Sequence, residues 1–221
     1  MLSGILIILA SDVIGSVPVA YLTGRLLGGI DLRRSGSGNV GASNVWQSVS
    51  KASVVPVGLA EIGQGLLGIL IAKLTGETLT VQVLAGLAAI AGHNWSPFLR
   101  FTGGRGIAHA IGFMLVLSWP ALGVFTGLSL LGVALRAVPQ LVGLGIALGP
   151  LAALAAGQSP EIVAGTAGVA LLVLAKRLLT NQPSWPADAS HVLLNRLLYD
   201  RDTRERDTWV QQRQESQTDG R

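Results

Sequence analysis

Residues 2–27 have the sequence LSGILIILASDVIGSVPVAYLTGRLL, in which only Asp12 and Arg25 carry charge. The hydrocarbon core of a bilayer is about 30 Å thick, and a helix needs about 20 mainly apolar residues to cross it. This stretch is therefore long enough and apolar enough to span a membrane. It lacks the basic N-terminal segment of a cleaved signal peptide, so we expect it to remain in the mature chain.

The rest of the chain has the same character, because 50% of its 221 residues are hydrophobic and only 13% are charged. Soluble domains carry about 25% charged residues. Further apolar segments cover about 53–74, 79–92, 107–118, 119–135, 138–157 and 161–179. We predict an all-α integral membrane protein whose seven transmembrane helices lie within residues 1–181. Residues 182–221 would form a cytoplasmic tail, with a short helix on the membrane surface over 191–199.

The distribution of basic residues predicts the orientation of these helices. If the helices alternate, the loops after the first, third and fifth share one side with the C-terminal tail. All 16 Lys and Arg residues except Lys73 lie in these segments or at the adjoining helix ends. Because Lys and Arg are retained in the cytoplasm, we predict an N-terminus outside and a C-terminus inside.

The side-chain inventory excludes several kinds of site. The chain has no cysteine, so it holds no disulfide, zinc–thiolate site or iron–sulfur cluster. Its three histidines are few for a metal cage, and we predict no metal and no cofactor. Basic residues outnumber acidic ones, 16 to 12, but no basic stripe alternates with aromatic residues, so we predict no nucleic-acid partner.

Polar residues that a bilayer does not require cluster at 33–44, where the sequence is RRSGSGNVGASN. Glycines permit close backbone approach, and successive N–H groups can form an anion-binding nest. The loop also carries neutral donors and positive charges, on Ser35, Ser37, Asn39, Asn44, Arg33 and Arg34. We interpret it as a phosphate or carboxylate site, and a flexible Gly/Ser linker is the alternative.

A second polar cluster covers 92–106, with the sequence GHNWSPFLRFTGGRG. Its last four residues directly precede a predicted helix, whose free N–H groups favour an anion. Arg105 and His109 are four residues apart and share a helix face, either as a paired cationic contact or as an interface-facing stripe. His93 is either a site residue or a hydrogen-bonded structural histidine.

Two further candidates carry weaker signals. His191 and Arg196 in the tail form a third possible substrate contact. Glu61 lies about halfway along the second predicted helix, where an ionised side chain is costly. It is therefore either a functional group or a structural hydrogen-bonding residue.

The segments GSGNVGASNVW (36–46) and GHNWSPFLRFTGGRGIA (92–108) resemble the bacterial acyl-phosphate:glycerol-3-phosphate acyltransferases. Those integral membrane enzymes carry a SGSGNxGATN-type loop, a GHxWPxFxxFKGGKGVAT-type loop and a C-terminal His/Asn/Arg segment. The resemblance implies transfer of a fatty acyl group from acyl phosphate to glycerol 3-phosphate, which yields lysophosphatidic acid for phospholipid biosynthesis. It also implies an inner (plasma) membrane location and a site that faces the cytoplasm.

The resemblance further implies that the two loops hold the two phosphates, among membrane lipids and without a cofactor, and it leaves the oligomeric state open. The catalytic residues that it implies are Ser35, Ser37, Asn39, His93, Arg105 and His191. The substrate-binding residues that it implies are Gly36, Gly38, Gly41, Asn44, Gly103, Gly104, Gly106 and Arg196.

This chain differs from the family pattern at several positions, so that some phosphate-neutralising charges are missing. The differing residues are Gln47, Glu61, Gln64, Thr102, Arg105, His109, Pro139, Gln140 and Leu193. One alternative function is therefore a non-catalytic or weakly active paralogue that binds phosphorylated lipid precursors. A small-solute transporter is a second alternative, although the internal repeats typical of transporters are not evident.

Overall fold

The computed structural model describes residues 2–179 and 189–205. All regular secondary structure in these residues is helical, which confirms the predicted all-α class. The α-helices are α1 (Leu2–Ser16), α2 (Val19–Gly28), α3 (Ala42–Ser48), α4 (Val54–Leu74), α5 (Leu79–Asn94), α6 (Ile107–Leu117), α7 (Trp119–Ala134), α8 (Val138–Ala155), α9 (Pro160–Leu179) and α10 (Ala189–Tyr199). Single 3₁₀ turns cover Leu32–Arg34 and Pro97–Leu99.

Four helical segments in the described residues are long and apolar enough to cross a membrane. They are Leu2–Gly28, Val54–Leu74, Val138–Ala155 and Pro160–Leu179. Helices α6 and α7 are apolar but shorter. Together with α5, which has 16 residues, these helices coincide with the predicted apolar segments. Residues exposed on α1 and α7 include many leucines and valines, as a lipid-facing surface requires.

The structure divides the first predicted span into α1 and α2. The break falls at Pro18, which has no backbone N–H and cannot continue the hydrogen-bond ladder. The Gln64 side chain donates to the carbonyl oxygens of Ile14 and Val17, at 2.6 and 3.1 Å. The Ser96 hydroxyl donates to the Ser16 carbonyl at 2.6 Å. The carbonyls at the break are thus bonded to α4 and to the second polar loop.

Helix α5 lies in the middle of the bundle and contacts α1, α4, α6 and α9. Glycines allow the closest helix pairs to touch through their backbones. A Cβ added at Gly15 would lie 2.2 Å from the Ala89 carbonyl oxygen, and one at Gly65 would lie 2.3 Å from that of His109. Without a hydrophobic effect between helices in lipid, such close packing is what stabilises α1 against α5 and α4 against α6.

Alanine at Gly65 should therefore destabilise the bundle, because its methyl group overlaps the α6 backbone. We expect Gly65→Ala to lower the free energy of unfolding by about 2 kcal/mol, measured by thermal denaturation in detergent. Gly63→Ala is the matched control, since Gly63 lies on the same helix with no heavy atom of the described residues within 4 Å of the added methyl. Equal losses in the two variants would contradict this account.

Candidate active site

Asn44 lies at the centre of the first polar loop and is fully buried at the start of α3. Its amide nitrogen donates to three backbone carbonyls, those of Leu32, Ser35 and Asn39, at 3.1, 2.9 and 3.0 Å. Its Oδ1 accepts from the Ser37 N–H at 3.3 Å. The sequence predicted a donor to the substrate, but the loop itself uses both N–H groups, so Asn44 determines the shape of the loop.

Three side-chain donors remain accessible on this loop. The hydroxyls of Ser35 and Ser37 and the amide nitrogen of Asn39 are half-buried, and no acceptor in the described residues pairs with them. The Ser37 oxygen accepts from the Asn39 N–H at 3.4 Å, which leaves its O–H free to donate. These are three of the donors that the sequence predicted for an anion.

The glycines of the first loop serve its backbone geometry. Gly36 and Gly38 have φ of +53° and +67°, the left-handed region that favours glycine. The Gly38 N–H donates to the Ser35 carbonyl at 3.0 Å, so part of the predicted nest is used within the loop. Gly41 has extended backbone and directly precedes α3.

The glycines of the second loop pack against neighbouring backbone. The N–H groups of Gly103 and Gly104 donate to the carbonyls of Asn94 and His93, both at 3.2 Å. A Cβ at Gly104 would lie 2.2 Å from the Val40 carbonyl oxygen in the first loop. The sequence predicted that these N–H groups bind an anion, but in the structure they donate to backbone carbonyls. The close approach of Gly104 to Val40 brings the two loops together.

The start of α6 has the position that the sequence predicted. Gly106 has φ of +72° and directly precedes the helix, which begins at Ile107. In the described residues no acceptor pairs with the N–H groups of Ile107 and Ala108. The positive end of the helix dipole therefore lies beside Arg105.

Arg105 joins three separate parts of the chain, and its side chain is only 6% exposed. Its Nη1 donates to Asn39 Oδ1 at 2.7 Å, which places the two polar loops in direct contact. Its Nε donates to Asp200 Oδ1 at 2.8 Å, which brings the segment after α10 to the same point. Asp200 could not be predicted from the sequence, because one acid in a tail of mixed charge carries no signal of its own.

Two further cations and two histidines lie near Arg105. Lys176 and Arg177 are buried in the last turn of α9. Lys176 lies close enough to Arg105 and His93 for an electrostatic interaction with each. The rings of His93 and His109 pack together with their centroids 4.2 Å apart. From the sequence, Lys176 and Arg177 indicated only orientation, since the end of an apolar span does not reveal whether its basic residues turn inward.

Two other predicted cations have partners of their own. Arg33 pairs with Asp31 at 2.6 Å, and this guanidinium lowers the pKa of the Asp31 carboxyl below its ordinary value. Arg196 pairs with Asp202 at 2.5 Å and donates to the Leu178 carbonyl at 2.9 Å. Arg196 therefore connects the segment after α10 to the end of α9.

His191 lies on α10, which is present where the sequence predicted a short helix. Its side chain is exposed, and in the described part of the chain no hydrogen bond or ion pair connects it to either loop. The structure thus does not bring His191 to Arg105. Residues 182–188 and 206–221 of the predicted tail lie outside the described residues.

Glu61 lies on α4, beside the start of α3 at the end of the first loop. Its side chain is 3% exposed, and its carboxylate faces the backbone N–H of Ala42, the first residue of α3. In the described residues Glu61 Oε1 has no hydrogen-bond partner, so both interpretations of Glu61 stay predictions.

Residues 5–181 match the protein family described as glycerol-3-phosphate acyltransferase. The chain belongs to this family. A glycerol-3-phosphate acyltransferase of Synechococcus sp. (strain CC9902) is 41% identical over 175 residues, which cover 79% of this chain and 88% of the relative. Glycerol-3-phosphate acyltransferase 4 of Dehalococcoides mccartyi (strain CBDB1) is 36% identical over 215 residues, 93% and 92% of the two chains.

A solved structure of this family has a similar fold. It is PlsY (YgiH), an integral membrane glycerol 3-phosphate acyltransferase in its glycerol 3-phosphate form, with a TM-score of 0.71 and 26% identity over 79% of this chain and 88% of that one. The lysophosphatidic acid form of PlsY gives a TM-score of 0.73 at 24% identity, over 95% and 98% of the chains. Family membership confirms the prediction of a membrane acyltransferase of phospholipid biosynthesis.

The first loop of this acyltransferase should lose its shape without Asn44. Asn44→Ala leaves three backbone carbonyls without a donor, so we expect the free energy of unfolding to fall by about 3 kcal/mol in detergent. Ser48→Ala removes only one hydrogen bond to Asn44, at 3.0 Å, and should cost about 1 kcal/mol. Similar losses in both variants would show that Asn44 is not the centre of the loop.

Proposed function

We propose that this chain transfers a fatty acyl group from an acyl phosphate to glycerol 3-phosphate, and releases lysophosphatidic acid and inorganic phosphate. The contact between Arg105 and Asn39 carries the proposal, because it brings two donor-rich loops together. The family to which the chain belongs, and the PlsY structure in its glycerol 3-phosphate form, support the acceptor.

The charge balance of the site suits two phosphates. Arg105, Lys176 and Arg177 supply three buried positive charges, and Asp200 is the acid that pairs with this group in the described residues. Burying unpaired cations is costly unless an anion compensates them. Phosphate groups of the donor and acceptor would supply that compensation.

Acyl phosphate is a mixed anhydride with a good leaving group, so no covalent intermediate on the protein is needed. A hydroxyl oxygen of glycerol 3-phosphate attacks the carbonyl carbon and forms the ester bond. The bond from that carbon to the phosphate oxygen breaks, and the leaving phosphate takes the hydroxyl proton. Proximity of two oriented substrates lowers a barrier by about 7–11 kcal/mol.

The side chains have separate tasks in this scheme. The donors of Ser35, Ser37 and Asn39 bind phosphate oxygens or the developing oxyanion, where one donor contributes about 3–4 kcal/mol. Arg105 clamps a phosphate with the N–H groups that Asn39 and Asp200 leave unused. His93, buried beside Gly104, orients the acceptor. His191 and Arg196 remain proposed contacts for a substrate that reaches α10.

We also propose seven spans with the N-terminus outside and the site on the cytoplasmic side of the inner membrane. The segment α1–α2 counts as one span, and α4 to α9 supply six more. The meeting of both loops with the residue after α10 at Arg105 supports this count, since alternation puts these three segments on one side. The concentration of Lys and Arg in them supports the cytoplasmic side.

A weakly active protein that binds phosphorylated lipid precursors is the second candidate. It is favoured by Gln47 and Thr102, which stand where the family pattern has cations. Turnover of purified protein in detergent distinguishes the two. Release of inorganic phosphate from acyl phosphate that depends on glycerol 3-phosphate supports the enzyme, whereas binding of both compounds without release supports the second candidate.

The Arg105–Asn39 contact should control turnover. We expect Arg105→Ala to lower kcat/KM for acyl transfer roughly hundredfold, because a buried charge-assisted donor is lost, and Asn39→Ala to lower it by about tenfold. Arg136→Ala, which removes an exposed basic residue in the turn after α7, is the control and should leave the rate unchanged. Wild-type rates in both site variants would refute the roles proposed for Arg105 and Asn39.

A further inference from the structure

The ammonium group of Lys176 is a buried charge without an acidic partner in the described residues. The side chain is 3% exposed, and its Nζ lies 5.4 Å from the centre of the Trp95 ring. No carboxylate of residues 2–179 or 189–205 lies within 4.0 Å of it. We propose that Lys176 binds a phosphate group of a substrate, as an additional binding residue of the acyltransferase site.

The other buried cations near the C-terminal segment differ from Lys176 in having anionic or carbonyl partners. Arg105 pairs with Asp200 at 2.8 Å, and Arg196 with Asp202 at 2.5 Å. Arg177 donates to two backbone carbonyls and lies 4.0 Å from Asp200. Within residues 2–179 and 189–205, the partner of the Lys176 ammonium is the face of Trp95, an attraction weaker than an ion pair.

The surroundings of Lys176 are those of an anion site. Lys176 interacts electrostatically with His93 and with Arg105. Arg105 belongs to the second polar loop and bonds Asn39 in the first. His109, whose ring packs on that of His93, is fully buried, and among the described residues neither of its ring nitrogens has a hydrogen-bond partner. Unpaired buried polar groups of this kind are destabilising, and they persist where a ligand completes them.

The chemistry selects a phosphate. An ammonium has three donors and acts as a compact point charge, which suits a phosphate dianion better than the planar pairing of a carboxylate. Both substrates of the proposed reaction carry such a group, and the inference rests on that reaction for its substrates. Kinetics on each substrate distinguish which phosphate Lys176 contacts.

The test compares Lys176→Met with wild type in detergent. Methionine is unbranched and one atom shorter than lysine, so it keeps most of the apolar stem of the side chain but removes the charge that faces Trp95. We expect the KM of one phosphate-bearing substrate to rise about ten- to hundredfold, with a smaller change for the other. Inhibition by inorganic phosphate should weaken by a similar factor.

A second measurement separates binding from a structural role. Removal of an uncompensated buried charge should leave the melting temperature of the ligand-free protein unchanged or raise it, and should reduce the rise that inorganic phosphate produces. Lys176→Gln is a second variant for the case that methionine prevents folding. Lys73→Met is the matched control, since Lys73 is an exposed lysine at the far end of α4.

The outcomes are distinct. Unchanged KM values and unchanged phosphate inhibition in Lys176→Met would overturn the proposal, as would a lower melting temperature with an undiminished effect of phosphate. If wild type shows no acyl transfer, the proposed function fails on its own. The melting measurement with inorganic phosphate then still decides whether Lys176 binds that anion.

Discussion

The guanidinium of Arg105 connects segments that are far apart in the chain, and the site depends on this connection. A planar guanidinium donates in several directions at once, so one side chain bonds Asn39 in the first loop and Asp200 after α10. Burial strengthens these bonds and makes the loss of either partner costly. A single residue of the second loop thereby determines where the first loop and the C-terminal segment lie.

The membrane environment imposes the second constraint, since backbone groups in lipid must find partners within the protein. Helix α4 satisfies this need for the carbonyls at the break between α1 and α2. Gln64 bonds the carbonyls freed by the break at Pro18, while Glu61 faces the N-terminus of α3. The irregular backbone beside the site is thus attached to a long spanning helix.

Only part of the site could be read from the residue types. Asn39 and Asn44 have the same chemistry in the sequence, yet one turns toward Arg105 and the other inward to three carbonyls of its own loop. Lys176 stands at the end of an apolar segment, where a basic residue indicated only the membrane orientation. Asp200 stands in a segment that the sequence predicted to be a polar tail. Their contribution depends on burial and on neighbours from other helices, which no local pattern encodes.

By itself, the sequence determined the helical membrane class, the position of the apolar segments and the two polar loops, because length, hydropathy and short motifs are local properties. The resemblance of those loops also indicated the family, which the comparisons confirmed. Only the tertiary structure decided which donors are used internally, which charges remain unpaired and that the loops meet the C-terminal segment at Arg105. Those features arise from contacts between residues distant in the chain. The distances and angles in the folded protein determine which acceptor each hydrogen-bond donor meets.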